Sequence, residues 1–360
     1  MDGTRSARRL EQVSATFPSR SRTGGTHPAT RTADQVAADA TAVVGSPDLT
    51  NRALRTFLHG LPGVDQVGLE GRAAVIGSRS IKTTSKAWAL DTIIAMTDLT
   101  TLEGADTPGR VRSLVAKALT PEPGDPSCPR PAAVCVYGDM VTVAKDALAA
   151  TPAGRDINVA AVATGFPAGR AGRTARLADT TDAVEAGAEE IDMVIDRGAF
   201  LSGDYRKVVD DIVAVREICR QRTGGPAHLK VILETGELAT HDNVRRASWL
   251  SMLAGADFIK TSTGKVSPAA TLPVTVLMLE AVRDFLAATG VQVGVKPAGG
   301  IRTSKDAIKY LVAVNEVAGE AWLDPEFFRF GASSLLNDVL LQRQKLATGA
   351  YSGPDYVTID

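Results

Sequence analysis

Histidine and cysteine are scarce in this sequence, four of one and three of the other in 360 residues. The cysteines, Cys128, Cys135 and Cys219, form no CxxC pair, and the histidines are scattered. A zinc site is therefore not expected. An odd, sparse cysteine count suits a reducing cytoplasm better than a disulfide framework. Charge of one sign is also missing. The net charge is −1, so nothing draws the whole chain to nucleic acid or to an acidic membrane. No run of about 18 apolar residues is present, and no transmembrane helix is expected. No GxGxxG motif follows the first strand candidate, which counts against a dinucleotide-binding fold.

Residues 1–33 are poor in aliphatics and rich in Arg, Ser and Thr (Arg5, Arg8, Arg9, Arg20, Arg22 and Arg31). That composition predicts a disordered tail. An arginine-rich, acid-poor start is also the composition of a transit peptide, whereas the lack of an apolar core rules out a secretory signal.

What is present is a large apolar fraction, 44%, and a regular alternation. The strand candidates are Thr92–Asp98, Ala132–Tyr137, Asn158–Gly165, Glu190–Asp196, Leu229–Thr235, Asp257–Thr261, Gln292–Pro297 and Phe328–Ala332. Helical patterns lie between them, among them Tyr205–Cys219, Asn243–Ala254, Pro273–Ala288 and Ser304–Val317, with Ser113–Leu119 as the first barrel helix. Alternation of this kind indicates parallel βαβ units. Eight of them predict a (β/α)8 TIM barrel, with an open doubly wound sheet as the alternative. Residues 34–87 read as an N-terminal helical extension capping the barrel, 88–350 as the barrel and 351–360 as a tail.

Strand side chains alternate between two faces. In a barrel the outward face packs on helices and must be apolar. Ile191, Met193 and Ile195 then face out, leaving Asp192, Val194 and Asp196 inside. Leu229, Val231 and Leu233 face out, leaving Lys230, Ile232 and Glu234 inside. Ile259 faces out, leaving Phe258 and Lys260. Val291, Val293 and Val295 face out, leaving Gln292, Gly294 and Lys296. One lumen would thus hold Lys230, Lys260, Lys296, Asp192 and Glu234. Buried charges are expensive to keep, and several on one lumen point to function.

Lys260 and Lys296 lie one βα repeat apart, on strands about 4.8 Å from each other, at the end of the barrel where active sites occur. Repulsion between two ammonium groups and loss of hydration both favour a neutral amine. A neutral lysine attacks carbonyls to give a Schiff base, and Asp192 is placed to shuttle protons. The glycine-rich loop Pro297–Ile301 and the run Gly331–Ser334 follow the last two strands, where barrels often bind phosphate. Gly264, Gly299, Gly300, Ser333 and Ser334 are the candidate phosphate ligands, although Ser304 and Ser333 also suit ordinary helix capping. The substrate class is a small phosphorylated sugar or aldehyde.

These motifs resemble those of the 2-deoxyribose-5-phosphate aldolase family. The resemblance rests on Gly255–Lys265 (GADFIKTSTGK), Val295–Arg302 (VKPAGGIR) and Glu190–Asp192. Asp98–Leu102 (DLTTL), Ala133–Tyr137, Thr164–Gly169 (TGFPAG) and Glu234–Leu238 (ETGEL) add to it. It spans residues 80–350 and is nearest to longer members with an N-terminal extension. It implies a metal-free and cofactor-free class I aldolase of the cytoplasm, serving deoxyribonucleoside and carbohydrate catabolism. It implies Lys260 as the Schiff-base lysine, Lys296 as the lysine that keeps it deprotonated and Asp192 as the acid/base. Lys230, Thr263, Lys265, Asp98, Thr100 and Cys135 are expected in support, Lys265 either on the phosphate or as a solvated loop residue. Tyr351 or Tyr356 is the candidate for a C-terminal tyrosine that aids proton transfer. Another lysine-dependent barrel aldolase or transaldolase, and a non-catalytic sugar-phosphate-binding barrel, are the competing readings. Oligomeric state is left open, a homodimer included.

Overall fold

The computed structural model describes residues 49–350 apart from Thr83, together with Gln35, Ala38 and Gly353. The arginine-rich start, Tyr351 and Tyr356 lie outside the described residues.

Eight short parallel strands form the centre: β1 (Thr97–Thr100), β2 (Ala133–Tyr137), β3 (Asn158–Ala163), β4 (Glu190–Val194), β5 (His228–Ile232), β6 (Phe258–Lys260), β7 (Gly294–Lys296) and β8 (Phe330–Ala332). Each pairs with the next in sequence, and β1 also pairs with β8. Bridges Val295–Phe328 and Ala298–Gly331 join β7 to β8 and close the ring. The fold is a (β/α)8 TIM barrel.

The helices in chain order are α1 (Asn51–His59), α2 (Gln66–Gly77), α3 (Thr84–Ala95), α4 (Pro108–Leu119), α5 (Val141–Ala149), α6 (Arg173–Glu185), α7 (Arg197–Leu201), α8 (Tyr205–Arg220), α9 (His241–Leu253), α10 (Leu272–Thr289), α11 (Ser304–Ala313) and α12 (Leu335–Thr348). Threonine opens many of them. Thr107, Thr240, Thr271 and Thr303 accept backbone N–H groups at the starts of α4, α9, α10 and α11, which satisfies donors that the helix itself cannot. Thr303 therefore does the capping expected of Ser304. The extension rests on the barrel's outer helices. Phe57 of α1 meets Trp249 of α9 at 5.8 Å between ring centres, and the Arg72 guanidinium of α2 pairs with Glu280 of α10 at 2.6 Å.

The first strand differs from expectation. Ile93 and Ile94 are fully buried, but as part of α3, and the strand begins only at Thr97. A short apolar run does not tell strand from buried helix by periodicity. Asp98, the second residue of β1, points into the lumen and pairs with Lys296 and Arg329.

The outward faces agree with alternation for Ile191, Met193, Ile195, Leu229, Val231, Leu233, Ile259, Val293 and Val295, all part of the large shared core. Leu102, Ala133, Cys135, Ala160 and Val162 form a separate apolar cluster. At strand ends the alternation stops applying. Val291 is 53% exposed, and Gln292 donates to the Ala321 carbonyl, so neither belongs to the strand. Asp196 likewise leaves the lumen: its side chain caps α7 through the Ala199 N–H and pairs with Lys207. No helix among the described residues is long and apolar enough to cross a membrane.

Candidate active site

Register stacks the lumen in layers. Asp192 on β4 sits opposite Lys230 on β5. Lys230 is level with Phe258 on β6, and Phe258 with Gly294 on β7. A side-chain carbon at Gly294 would lie 2.4 Å from the Phe258 ring, so the glycine makes room for the phenylalanine. One layer nearer the mouth, Lys260 pairs in register with Lys296.

Asp192 is the hub. Its Oδ2 accepts from Lys260 Nζ at 2.8 Å and from Lys296 Nζ at 2.7 Å, and its Oδ1 from Lys230 Nζ at 3.1 Å. Lys296 Nζ also lies 2.5 Å from Asp98 Oδ2. Lys230 pairs with Glu190 as well. Arg329 closes the lower side, with Nη1 on Asp98 Oδ1 at 2.7 Å and Nη2 on Glu190 Oε1 at 3.0 Å. All these groups are buried. Of the three lysines Lys260 alone keeps measurable exposure, 2%.

Four cationic side chains share this space with the carboxylates of Asp98, Glu190 and Asp192. The charges balance when one cation gives up its proton. Burial opposes the ammonium form of Lys260, the Lys296 charge adds to this, and together they hold Lys260 below the ordinary lysine value despite Asp192. Burial opposes the charge on Lys296 too, but Asp192 and Asp98 outweigh it and hold its proton tightly. Burial likewise disfavours the Asp192 carboxylate, yet Lys230, Lys260 and Lys296 keep it ionised well below the usual range. Lys260 is thus the amine able to be free, and Lys296 the fixed cation beside it.

The supporting residues divide. Asp98 and Lys230 belong to the network. Cys135 is buried in the small apolar cluster, and burial pushes its thiol upward. Tyr137 and Phe166 meet edge to face at 5.9 Å against that same cluster. Thr100 donates to the Asp98 carbonyl at 2.8 Å. Glu234 does not join the lysines. It lies beyond the end of β5, where its carboxylate accepts from Thr263 Oγ1 at 2.6 Å. Lys265 pairs with Glu103, from the loop after β1, at 2.8 Å.

The candidate phosphate residues cluster on one rim. Gly264, Gly299 and Gly300 have φ of 82°, 81° and 85°, a region open chiefly to glycine. A side chain on Gly299 would meet Ala269 at 2.8 Å and the Gly264 Cα at 3.0 Å, so the two loops touch. Ser333 and Ser334 are exposed at the start of α12, and the Ser334 side chain caps nothing. The capping expected of Ser333 falls away with it, since α12 begins one residue later than that reading requires.

Glu190 and Arg329 were not foreseen from the sequence. Both obey the alternation: Glu190 is two residues before Asp192, and Arg329 lies between the outward Phe328 and Phe330. Arg329→Met leaves Asp98 and Glu190 buried with one cation fewer. Breaking a buried pair from one side typically costs about 3–5 kcal/mol. Denaturant unfolding should register a loss of that size. A change below about 1 kcal/mol would mean that the arginine contributes little to the plug.

A TIM barrel with a buried lysine–carboxylate cluster beneath its C-terminal mouth is the architecture of a barrel enzyme whose site is built on strand ends. Residues 92–340 match the profile of the DeoC/LacD family aldolases, and the chain belongs to that family. It is an aldolase, a carbon–carbon lyase. It is 46% identical over 282 residues to the deoxyribose-phosphate aldolase of Mus musculus, covering 76% of this chain and 86% of that one. It is 47% identical over 274 residues to the Homo sapiens protein of the same name, covering 74% and 84%. The solved tetrameric deoxyribose phosphate aldolase of Aeropyrum pernix has the same fold, with a TM-score of 0.50 and 21% identity, covering 75% of this chain and 100% of that one.

Proposed function

We propose that this aldolase reversibly cleaves 2-deoxy-D-ribose 5-phosphate to acetaldehyde and D-glyceraldehyde 3-phosphate through a Schiff base on Lys260. The observation that carries the reading is the unequal lysine pair. Both amines reach Asp192 Oδ2, but Lys296 is held charged by a second carboxylate and Lys260 is not. The curated relatives' names supply the substrate.

The Lys260 amine adds to C1 of the open-chain sugar, and loss of water gives a protonated imine. Ionised Asp192 takes the C3 hydroxyl proton. The C2–C3 bond breaks, C3 becomes the aldehyde carbon of glyceraldehyde 3-phosphate, and the electron pair moves into an enamine held on Lys260. A proton returned to C2 and addition of water release acetaldehyde and restore the amine. Cys135, Leu102 and Val162, with Tyr137 and Phe166 at their edge, offer the two-carbon fragment a small apolar wall. Gly264, Gly299, Gly300, Ser333 and Ser334 receive the phosphate, using backbone N–H groups and the start of α12.

The test is a cleavage assay against a panel of phosphosugars. Deoxyribose 5-phosphate should give a kcat/KM at least about 100-fold above ribose 5-phosphate and fructose 1,6-bisphosphate, about 2.7 kcal/mol of transition-state preference. Equal or higher turnover of another phosphosugar would remove this substrate assignment.

A further inference from the structure

The mechanism leaves Glu234 without a task. It follows β5 on the inward side, yet none of the lumen lysines pairs with it. Its backbone is left-handed, with φ 55° and ψ 60°, a conformation that residues other than glycine adopt rarely. Its side chain has no solvent exposure. A buried carboxylate in an unfavourable backbone conformation persists where the surroundings hold it there.

The partners of Glu234 lie on the loop after β6 and at the start of α7. Both carboxylate oxygens accept from the Thr263 N–H at 3.3 Å, and one accepts from the Thr263 hydroxyl at 2.6 Å. The Arg197 guanidinium lies 3.6 Å away. Arg197 also donates to the carbonyls of Pro167 and Ala168, at 3.3 and 2.9 Å, and pairs with Glu237 at 2.7 Å. The Thr263 hydroxyl, its proton directed to Glu234, accepts from the Lys265 N–H at 3.1 Å. One carboxylate therefore ties the loops after β3, β4 and β6 to the end of β5. The segment that it grips, Thr263 to Lys265, contains Gly264, which touches the Gly299 loop across the rim.

We propose that Glu234 is a positioning residue for anion recognition, fixing the Thr263–Gly264 turn so that the Gly264 N–H meets the substrate's phosphate. The inference rests on the phosphosugar reading above. Glu234 touches none of the reacting atoms. Hydrogen-bonded by Thr263 and with Arg197 beside it, the carboxylate is turned into the loop and orders the rim. Its removal should therefore weaken recognition of the phosphate end and spare the chemistry at C1 to C3.

Steady-state kinetics of the full-length protein on 2-deoxyribose 5-phosphate and on 2-deoxyribose, which has no phosphate, read this directly. The wild type should prefer the phosphorylated sugar. In Glu234→Ala, KM for the phosphorylated sugar should rise about tenfold, with kcat changed by less than about threefold. The preference for the phosphorylated sugar should fall by about the same tenfold factor. Glu234→Gln keeps a neutral acceptor for Thr263 and should recover part of the preference. Glu234→Gly relieves the left-handed backbone and gives a second carboxylate-free variant should the alanine protein fail to fold. Equal losses on both sugars, or an unchanged KM, would overturn the proposal. A wild-type enzyme with no preference between the sugars would overturn the phosphosugar reading and this inference together.

Discussion

Lys260→Met is expected to lower cleavage of 2-deoxyribose 5-phosphate by more than about 10⁴-fold, the scale of loss when a catalytic nucleophile is removed. Methionine is near in volume and cannot form an imine. The variant should still fold. Asp192 keeps Lys230 and Lys296 as partners, and the remaining three cations match the three carboxylates. The loss should fall on kcat, because the amine contributes a covalent bond rather than uniform binding. A folded Lys260→Met protein with a tenth of the wild-type rate would place the chemistry elsewhere.

Lys296→Leu is expected to act through Lys260. Without the Lys296 charge, Lys260 becomes the main partner of Asp192 Oδ2 and gains a reason to hold its proton. Its pKa then moves up toward the ordinary lysine range, and the share of free amine at neutral pH falls. Activity at neutral pH should then fall by at least about tenfold, the loss that one unit of upward shift gives. The sign in pH follows from which form reacts. The free amine is present above the Lys260 pKa and lost as pH falls through it. The acid limb of kcat/KM should therefore move alkaline in the variant, with activity still rising at pH values where the wild type has levelled off. A uniform loss with an unmoved limb would mean that Lys296 does not set the charge of Lys260.

Much of this site was legible because barrel strands impose a two-sided test. Outward residues must be apolar, so a lysine or aspartate on the opposite parity can only face the lumen. That argument found Lys230, Lys260, Lys296 and Asp192 from four short stretches. It failed where a strand ends. Asp196, Glu234 and Gln292 carry the right parity, but the chain has already turned at those positions, and their side chains go to a helix start, a neighbouring loop and a surface carbonyl. Arg329 and Glu190 passed the same test and needed only its wider application. The left-handed backbone at Glu234 could not be read at all, since nothing local favours it. The residues that hold its carboxylate, Thr263 and Arg197, are distant in sequence. Asp98 was expected in support from the resemblance alone; alternation did not place it, because the apolar run before it packs as helix.

The two-lysine arrangement also accounts for the buried Lys260–Asp192 contact. A lone lysine beside a carboxylate would be an ion pair with a tightly held proton. The same contact with a second, better-anchored ammonium on the same oxygen would be a poised pair, and the proposed mechanism has Asp192 serve Lys296 while Lys260 reacts.

The most direct measurement is reductive trapping. The full-length protein is incubated with acetaldehyde and borohydride, digested, and its peptides are weighed by mass spectrometry. The Schiff-base account predicts a single ethyl adduct, about 28 Da, on the peptide carrying Lys260, absent without borohydride and absent in Lys260→Met. Modification of Lys296 or Lys230 in its place, or an unmodified Lys260 in active enzyme, would contradict it.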